Sequence, residues 1–410
     1  MPRKRFLARR SVSVTVKNEK RAPELRFKGF TDVWEQRNLG ELFARRNERN
    51  NGSYSKDSWI SVAQMYYQNP SRVKSNHVET RSFVMHKGDI AFEGHPNREY
   101  KFGRFVMNDI GSGVVSELFP IYRPIAKGSL GYWKNAIRIE KIMAPIFSKS
   151  ITSPSNSANK LNEKHFLRQK LRVPSCEEQT KIGDFLKQLD ELIVLQQRKL
   201  KKLESLKQAY LQQLFPQKDE VFPPLRFAGF TTPWNQRKLK SLVVRISLVS
   251  SEDTSLPRVE YEDVVSGRGQ LKASVFENPS HKKGTKFEPG DILFGKLRPY
   301  LKNWLLASFS GVAVGDWWVL RPNNTNSEFL YTLIQSPTYQ TVASLSSGTR
   351  MPRSDWRTVS ETDFSVPKST KEQEDIGLLF HNLDNLIALN QRKLDAQIKQ
   401  KKALLQRMFV

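Results

Sequence analysis

The chain of 410 residues contains a single cysteine, Cys176, so no disulfide can form within it. No apolar run approaches the ~18 residues that a transmembrane helix needs. The basic leader at residues 1–22 is not followed by the apolar core of a signal peptide. These absences predict a protein of the reducing cytoplasm with no membrane partner.

The sequence also lacks the motifs of several catalytic sites. It has no Gly-x-x-x-x-Gly-Lys-Ser/Thr phosphate loop, so no site for nucleotide hydrolysis is expected. The "NPSR" at Asn69 and the "NPSH" at Asn278 lack the second proline and the aromatic residue of the Asn-Pro-Pro-aromatic loop of amino-methyltransferases. The 6 histidines show no pair at a metal-binding spacing. We therefore expect no cofactor in this chain.

Acidic residues are scarce relative to basic ones. The 41 Asp and Glu face 67 Lys and Arg, which gives a formal net charge of +26. Such an excess predicts a polyanionic partner, with nucleic acid first, an anionic membrane surface second, and a merely soluble basic protein as the bland alternative. The positive charge lies in residues 23–173 (net +11), the leader (net +7) and residues 216–366 (net +4), whereas residues 174–215 (net +1) and 367–410 (net +3) are almost neutral.

Two segments of the sequence occur twice. "PELRFKGFTDVWEQRNLGEL" from Pro23 and "PPLRFAGFTTPWNQRKLKSL" from Pro223 share 12 identities in 20 ungapped pairs. A closing segment from Gln179 and its counterpart from Gln373 share 17 identities in 37 pairs. The chain is therefore a tandem of two half-molecules, each with an opening phrase, a divergent body and a closing segment.

The closing segments have the pattern of long helices. They lack internal proline and are rich in residues that favour helix. Ser175-x-x-Glu178 and Thr370-x-x-Gln373 resemble capping boxes at their starts. The predicted apolar stripe comprises Ile182, Phe185, Leu189, Leu192, Ile193 and Leu200 in the first copy. We expect the two helices to pair antiparallel, with two independent oligomerisation helices as the alternative.

The bodies between phrase and helix have β-rich runs such as "RSFVMH" and "GDILFGK", separated by turn residues. The predicted fold class is α+β, with two pseudo-repeated mixed α/β domains separated by two long antiparallel helices that form a coiled-coil spacer. The predicted segments are a basic leader (1–22), a first body (23–173), a first helix (174–215), a second body (216–366) and a second helix (367–410).

One constellation resembles a magnesium-dependent nuclease site. Asp89, Glu99 and Lys101 approximate the carboxylates and lysine that metal-assisted phosphodiester cleavage uses. Asp291 matches Asp89 in the second half, but no acidic residue follows it in "ILFGKLRPYLK". Asp89 is therefore better interpreted as a turn residue after a glycine, and the nuclease remains a weak alternative.

Basic and aromatic residues cluster on polar loops that could bind phosphates or guanine edges. Any single arginine is more often a solvated surface charge, so the prediction concerns the clusters as groups. The candidate DNA-binding residues are Arg98, Lys101, Arg104, Lys296, Arg298, Tyr300, Lys302, Arg350, Arg353 and Arg357.

The doubled phrase, the "GDILFGKLRP" stretch and the doubled closing segment resemble the specificity subunit of type I restriction–modification enzymes from Pro23 to Val410. The resemblance implies two target-recognition domains, each reading half of a bipartite site in double-stranded DNA, with paired helices that set the gap. It implies a non-catalytic subunit that docks two methyltransferase subunits. Restriction subunits would join the complex, and S-adenosylmethionine, ATP and Mg²⁺ would act in those partners. The alternative from another class is a basic adaptor that binds nucleic acid without sequence specificity.

Overall fold

A computed structural model describes residues 22–75, 77–153, 158–250, 256–276, 282–345 and 351–410. They form two compact units. The first contains the described residues up to Val194 together with Asp395–Val410, and the second contains Leu195–Leu394. The five segments predicted from the sequence follow the repeat rather than these contacts and stay a prediction. Residues 1–21 of the leader lie outside the described residues.

The first unit is a mixed α/β structure of short strands and helices. Its strands are β1 (Glu35–Asn38), β2 (Phe43–Arg46), β3 (Ile60–Ser61), β4 (Tyr66–Tyr67), β5 (Ser82–Met85), β6 (Ile90–Glu93), β7 (Arg104–Met107), β8 (Gly113–Ser116), β9 (Ile121–Pro124), β10 (Ile151–Ser153), β11 (Lys160–Leu161) and β12 (Lys170–Val173). Its helices are α1 (Leu39–Leu42), α2 (Val78–Arg81), α3 (Leu130–Ala136), α4 (Glu140–Ser148), α5 (Glu163–Leu167) and the start of α6 (Cys176–Gln213).

The second unit repeats this plan. Its strands are β13 (Asn235–Lys238), β14 (Val243–Ile246), β15 (Val249–Ser250), β16 (Arg258–Glu260), β17 (Val264–Val265), β18 (Gln270–Leu271), β19 (Gly284–Phe287), β20 (Ile292–Gly295), β21 (Trp304–Leu306), β22 (Gly311–Val314), β23 (Trp317–Pro322) and β24 (Asp363–Val366). Its helices are the end of α6, α7 (Leu239–Leu242), α8 (Ser327–Leu333), α9 (Pro337–Ala343), α10 (Trp356–Glu361) and most of α11 (Thr370–Arg407).

Each unit contains the same four-stranded antiparallel sheet. The strand order is β2-β9-β6-β7 in the first unit and β14-β23-β20-β21 in the second. A second four-stranded sheet, β15-β19-β22-β16, is formed in the second unit and contains one parallel pair, β16 with β22. The predicted α+β class with two repeated domains is therefore confirmed.

The opening phrase supplies a strand that closes each unit. In the first unit β1 pairs antiparallel with β12, the strand that immediately precedes the long helix α6. In the second unit β13 pairs in the same way with β24, which precedes α11. The duplicated phrase is thus attached to the duplicated helix in both units.

Both long helices begin at a serine cap. The Ser175 hydroxyl accepts a hydrogen bond from the Glu178 backbone N–H (3.3 Å), and the Ser369 hydroxyl accepts one from the Glu372 N–H (3.4 Å). The expectation of a cap at Thr370 was wrong by one residue, since α11 already begins at Thr370. Ser369 is the residue equivalent to Ser175 in the repeat. The two helices are therefore capped at equivalent positions, which the predicted caps at Ser175 and Thr370 were not.

The glutamate of each cap motif binds the opening phrase instead of closing a capping box. Glu178 accepts two hydrogen bonds from the Arg26 guanidinium (2.8 and 2.7 Å) and one from the Trp34 indole (3.2 Å). The Glu178 side chain is 2% exposed. This contact raises the pKa of Arg26 above its usual value, because the paired carboxylate favours the charged guanidinium.

The second unit contains the same triad. Glu372 accepts hydrogen bonds from Arg226 at 2.7 and 2.8 Å and from the Trp234 indole at 3.1 Å. Trp34 and Trp234 are themselves buried in the main hydrophobic clusters of their units. A bidentate arginine–carboxylate pair therefore fixes the phrase to the helix at equivalent places.

The long helices pair antiparallel, as predicted. In the second unit Gln196 donates to the Asn390 side chain (2.8 Å), and Lys207 donates to Asp384 (2.6 Å). The partner number falls along α11 as the number rises along α6, so the two run in opposite directions. Burial raises the pKa of Asp384 even though Lys207 opposes this rise.

In the first unit Lys401 of α11 forms the equivalent ion pair with Asp190 of α6. Beyond that pair, Ile182 and Leu186 share a hydrophobic cluster with Met408 and Phe409. Among the described residues, no helix is long and apolar enough to cross a membrane.

The predicted apolar stripe was wrong at Leu192. This side chain is 49% exposed, and its counterpart Leu386 is 46% exposed. The neighbouring Ile387 is buried, and Ile193 is half-buried. Successive helical residues point about 100° apart, so the narrow contact between the two helices covers Ile387 and Ile193 more than Leu386 and Leu192.

Removing the carboxylate of Glu178 should destabilise the protein. Glu178→Ala leaves the Arg26 guanidinium buried without its partner, so the free energy of unfolding should fall by about 3–5 kcal/mol. Glu372→Ala should act similarly in the second unit. Urea unfolding followed by circular dichroism measures both effects. The exposed neighbours Glu177→Ala and Glu374→Ala serve as matched controls. Equal unfolding midpoints for the variants and their controls would contradict this role.

Adjacent positions on α11 should differ in their tolerance of charge. Ile387→Asp places an unpaired carboxylate at a buried position and should lower the free energy of unfolding by roughly 3 kcal/mol or more. Leu386→Asp, at the exposed position, should change it by less than about 0.5 kcal/mol. Thermal unfolding of the two variants beside the parent measures the difference. Equal destabilisation by both would show that the assigned helix face is wrong.

Candidate nucleic-acid interface

The loop between β20 and β21, Lys296–Asn303, is called here the second basic loop. It contains a short 3₁₀ turn, Pro299–Leu301, flanked by Arg298 (φ 47°) and Lys302 (φ 55°). Both flanking residues adopt the left-handed backbone conformation, which costs about 1–3 kcal/mol for a residue with a side chain. Surrounding contacts must therefore hold this loop in place.

Hydrogen bonds to the loop backbone supply those contacts. The Arg298 N–H donates to the Pro352 carbonyl (2.7 Å), and the Lys302 carbonyl accepts from the Gly267 N–H (2.8 Å). The Tyr261 and Ser266 hydroxyls donate to the carbonyls of Leu297 and Leu301. Burial raises the pKa of Tyr261 to about 12, so this phenol keeps its donor proton at neutral pH.

The tip of the loop, Tyr300–Lys302, is exposed. Tyr300 is 59% exposed and Lys302 is also exposed. A loop whose backbone is fixed and whose side chains are exposed is pre-organised to contact a ligand without a large ordering cost. This arrangement suits a DNA-reading loop.

Arg353 is joined to the second basic loop through Asp316, which also lies near Lys296 of that loop. The Arg353 guanidinium contacts both Asp316 carboxylate oxygens (3.2 and 3.1 Å), and the Lys296 ammonium lies 3.7 Å from one of them. The Arg353 backbone also forms an isolated β-bridge with Leu297. The structure therefore brings Lys296, Arg298 and Arg353 together.

The candidate arginines on either side of Arg353 in the sequence are Arg350 and Arg357. Arg357 is exposed on helix α10, next to Asp355, which caps that helix. Arg350 lies outside the described residues. Their predicted part in DNA binding stays a prediction.

The loop between β6 and β7, Gly94–Gly103, is called here the first basic loop. Asn97 shapes it by accepting hydrogen bonds from the backbone N–H groups of Glu99 (2.8 Å) and Tyr100 (3.0 Å). The Lys101 N–H donates to the Glu140 carboxylate (2.8 Å), which joins the loop to the start of α4. Arg98 and Lys101 are exposed, as a DNA-contacting role requires.

Arg104, at the start of β7, makes its contacts with other residues of the same unit. Its guanidinium donates to the Ala63 carbonyl (2.6 Å), lies 3.7 Å from Glu93, and stacks 5.1 Å from the Tyr100 ring centre. Tyr100 is buried. The sequence could not distinguish this internal arginine from the exposed Arg98, because their contacts come from distant residues.

The sequence analysis missed two exposed aromatic residues beside the first basic loop. Tyr66 and Tyr67 form β4 of a hairpin with β3, and they are 44% and 43% exposed. Arg104 joins this hairpin to the loop through Ala63. The sequence did contain a signal for these two residues, the aromatic pair in the polar segment "AQMYYQNP". Two adjacent aromatic residues do not follow the apolar–polar alternation of a half-buried strand, which indicates that they are not both buried.

Asp89 has a structural partner that the sequence did not reveal. Its buried carboxylate binds the Arg123 guanidinium (2.6 and 3.0 Å) and accepts a hydrogen bond from the His86 N–H (2.8 Å). Asp291 repeats the arrangement with Arg321 at 2.8 Å for both contacts. Asp89 therefore belongs to the structure that both units share, which is called here the common frame. Among the described residues, no group of three His, Cys, Asp or Glu could hold a metal ion.

The two units differ in charge at an equivalent cleft, which lies beside β12 in the first unit and beside β24 in the second. In the first unit the cleft beside β12 is lined by basic side chains and no acidic one: Lys141, Lys149, Arg168, Lys170 and Arg172. In the second unit the cleft beside β24 has mainly acidic charges: Asp219, Glu361 and Asp363, with Lys218. The basic cleft adds to the positive surface that the first unit presents.

The sequence matches one family over most of its length. Residues 30–205 and 256–400 match the type I restriction modification DNA specificity domain. No curated protein matches the chain.

Solved structures of the same class have a similar fold. A crystal structure of the type I restriction-modification system S subunit from M. genitalium is 14% identical, with a TM-score of 0.59, and the match covers 95% of this chain and 99% of that one. A structure that addresses complex assembly and conformational transition of the type I R-M system is 17% identical, with a TM-score of 0.52, and covers 92% and 96%. At these identities the similarity concerns the fold, while the matched domains show the family. The chain belongs to the type I restriction modification DNA specificity family and provides DNA sequence specificity.

Proposed function

We propose that this chain is a non-catalytic subunit whose two units each read one half of a bipartite DNA site. The observation that carries the proposal is the duplicated frame with different loops. Both units contain the Arg–Glu–Trp triad and the same four-stranded sheet. The loops on this sheet differ, since the first basic loop exposes Arg98 and Lys101 where the second exposes Tyr300 and Lys302 beside the partly buried Arg298. Equal frames with unequal loops suit the reading of two different half-sites.

The paired helices are proposed to set the gap between the half-sites and to dock the methyltransferase subunits. Helix α6 exposes Leu192 and Leu195, and helix α11 exposes the equivalent Leu386 and Leu389. Exposed leucines at equivalent positions of two otherwise polar helices are what a pair of protein partners would cover.

Catalysis is proposed to reside in those partners. Methylation would use S-adenosylmethionine bound by two methyltransferase subunits, and cleavage would use ATP and Mg²⁺ in restriction subunits. The complex would act on DNA in the cytoplasm. The motifs that are missing from this sequence support this division of roles.

The alternative, a non-specific basic adaptor, makes a different prediction about binding. An adaptor would bind all duplexes with similar affinity and a steep dependence on salt. A specific reader should bind its own site on the order of 10³-fold or more tightly than other DNA.

Exchange of one body tests the proposal directly. Replacing residues 43–173 with the corresponding body of a relative should change one half-site and leave the other half-site and the gap intact. The measurement is the methylated motif in DNA from cells that carry the chain and its methyltransferase. The parent chain is the control. A change in both half-sites, or in neither, would contradict the two-reader proposal and favour the adaptor.

Arg98 and Arg104 form a matched pair for testing the first basic loop. Arg98→Ala should weaken DNA binding, by about 1–3 kcal/mol at one base pair if Arg98 reads a base, or uniformly if it contacts a phosphate. It should not change stability. Arg104→Ala should lower the thermal unfolding temperature, because it removes the contacts to Ala63 and Glu93. Binding across single-base variants of the site, together with melting curves, checks both expectations. Unchanged DNA affinity of Arg98→Ala on every variant would remove Arg98 from the interface.

A further inference from the structure

A hairpin loop of the second unit touches both long helices. The loop, Ser266–Gly269, joins β17 to β18. Its Arg268 donates one hydrogen bond to the Glu204 side chain on α6 (2.9 Å) and another to the Gln391 side chain on α11 (2.7 Å). One guanidinium therefore connects a residue of the second body to both helices.

The same hairpin loop holds the second basic loop. The Gly267 N–H donates to the Lys302 carbonyl (2.8 Å), and the Ser266 hydroxyl donates to the Leu301 carbonyl. Arg268 directly follows these two anchoring residues. The second basic loop is thus joined to the helices through three consecutive residues.

Gly269 keeps the hairpin close to the body beneath it. Its φ is +60°, and a Cβ at this position would lie 1.8 Å from the Tyr331 hydroxyl oxygen of helix α8. A residue with a side chain would have to push the loop away from α8. The hairpin therefore approaches α8 closely at Gly269.

Among the described residues of the first unit, no hydrogen bond of this kind joins the corresponding hairpin to the helices. The corresponding hairpin loop, Val62–Met65 between β3 and β4, carries no charged residue. There the hairpin carbonyl of Ala63 accepts a hydrogen bond from Arg104 of its own body. The helix contact made by Arg268 is therefore not part of the common frame of the two units.

We propose that Arg268 is a positioning residue that fixes the orientation of the second basic loop on the helix pair. The proposal rests on the proposed function, in which the helices set the gap between half-sites. A planar guanidinium that donates in two directions fixes an angle as well as a distance, which a lysine cannot do. The gap then depends on a residue of the second body in addition to the length of the helices.

The test measures gap preference in the full-length chain assembled with its methyltransferase subunits. The DNA set keeps both half-sites constant and varies the gap by single base pairs. Arg268→Ala should reduce the preference for the parental gap by roughly tenfold, equivalent to ~1.4 kcal/mol. It should retain both half-site sequences and the thermal unfolding temperature. Arg268→Lys should behave like the alanine variant.

Two comparisons separate positioning from a general effect. Glu204→Ala should relax the gap preference as Arg268→Ala does, and the double variant should add little, because the two residues form one contact. Arg245→Ala is the matched control. Arg245 belongs to the same unit and lies over the Trp356 ring at 5.0 Å. It should keep the parental gap.

An unchanged gap preference in Arg268→Ala would overturn the proposal. So would loss of the second half-site sequence, which would mean that Arg268 maintains the fold of the loop rather than its orientation. Either result would leave the proposed function standing, because the parent complex would still select a bipartite site. A parent complex that selects no bipartite site would overturn both.

Discussion

The salt bridge between an arginine of the opening phrase and the first-turn glutamate of a long helix organises each unit. Arg26 with Glu178, and Arg226 with Glu372, are charges withdrawn from water. A buried charge without its partner costs several kcal/mol, so neither residue can change alone. The indole of Trp34 or Trp234 binds the same carboxylate, and the strand that follows pairs with the strand that precedes the helix. The start of each half is thereby fixed to its end.

This constraint explains which parts of the sequence have diverged. The triads, and the Asp89–Arg123 and Asp291–Arg321 pairs with their buried carboxylates, are mutually dependent contacts that occur in both units. The loops on the sheets expose their side chains to solvent, where most substitutions change stability by less than about 0.5 kcal/mol. New specificities can therefore arise in the loops while the frame stays constant. The Arg268 contact is an exception, because it ties a body-specific residue to the frame.

Much of the fold could be predicted from the sequence because its signals are local or repeated. Helical periodicity and the absence of proline located α6 and α11, and the repeat itself indicated that the two would pair. Periodicity could not decide between Leu192 and Ile193, since the choice depends on which face the partner helix covers. The cap at Ser369 was missed because Thr370, the next residue, also belongs to a type that caps helices. The internal role of Arg104 and the partners of Asp89 and Arg268 were invisible, because each contact joins residues far apart in the sequence.

The discontinuous first unit has a consequence for synthesis on the ribosome. The second unit is one continuous stretch, Leu195–Leu394, whereas the first unit requires Asp395–Val410 in addition to its early residues. Phe409 packs against Trp34 and Tyr132, and the Leu25 N–H donates to the Arg407 carbonyl (3.0 Å). The half that is translated first is therefore completed last. The aromatic residues that Phe409 covers stay without it while some 200 further residues emerge at about 5–20 residues per second. A nascent chain in that state is a natural client for chaperones that shield apolar surface.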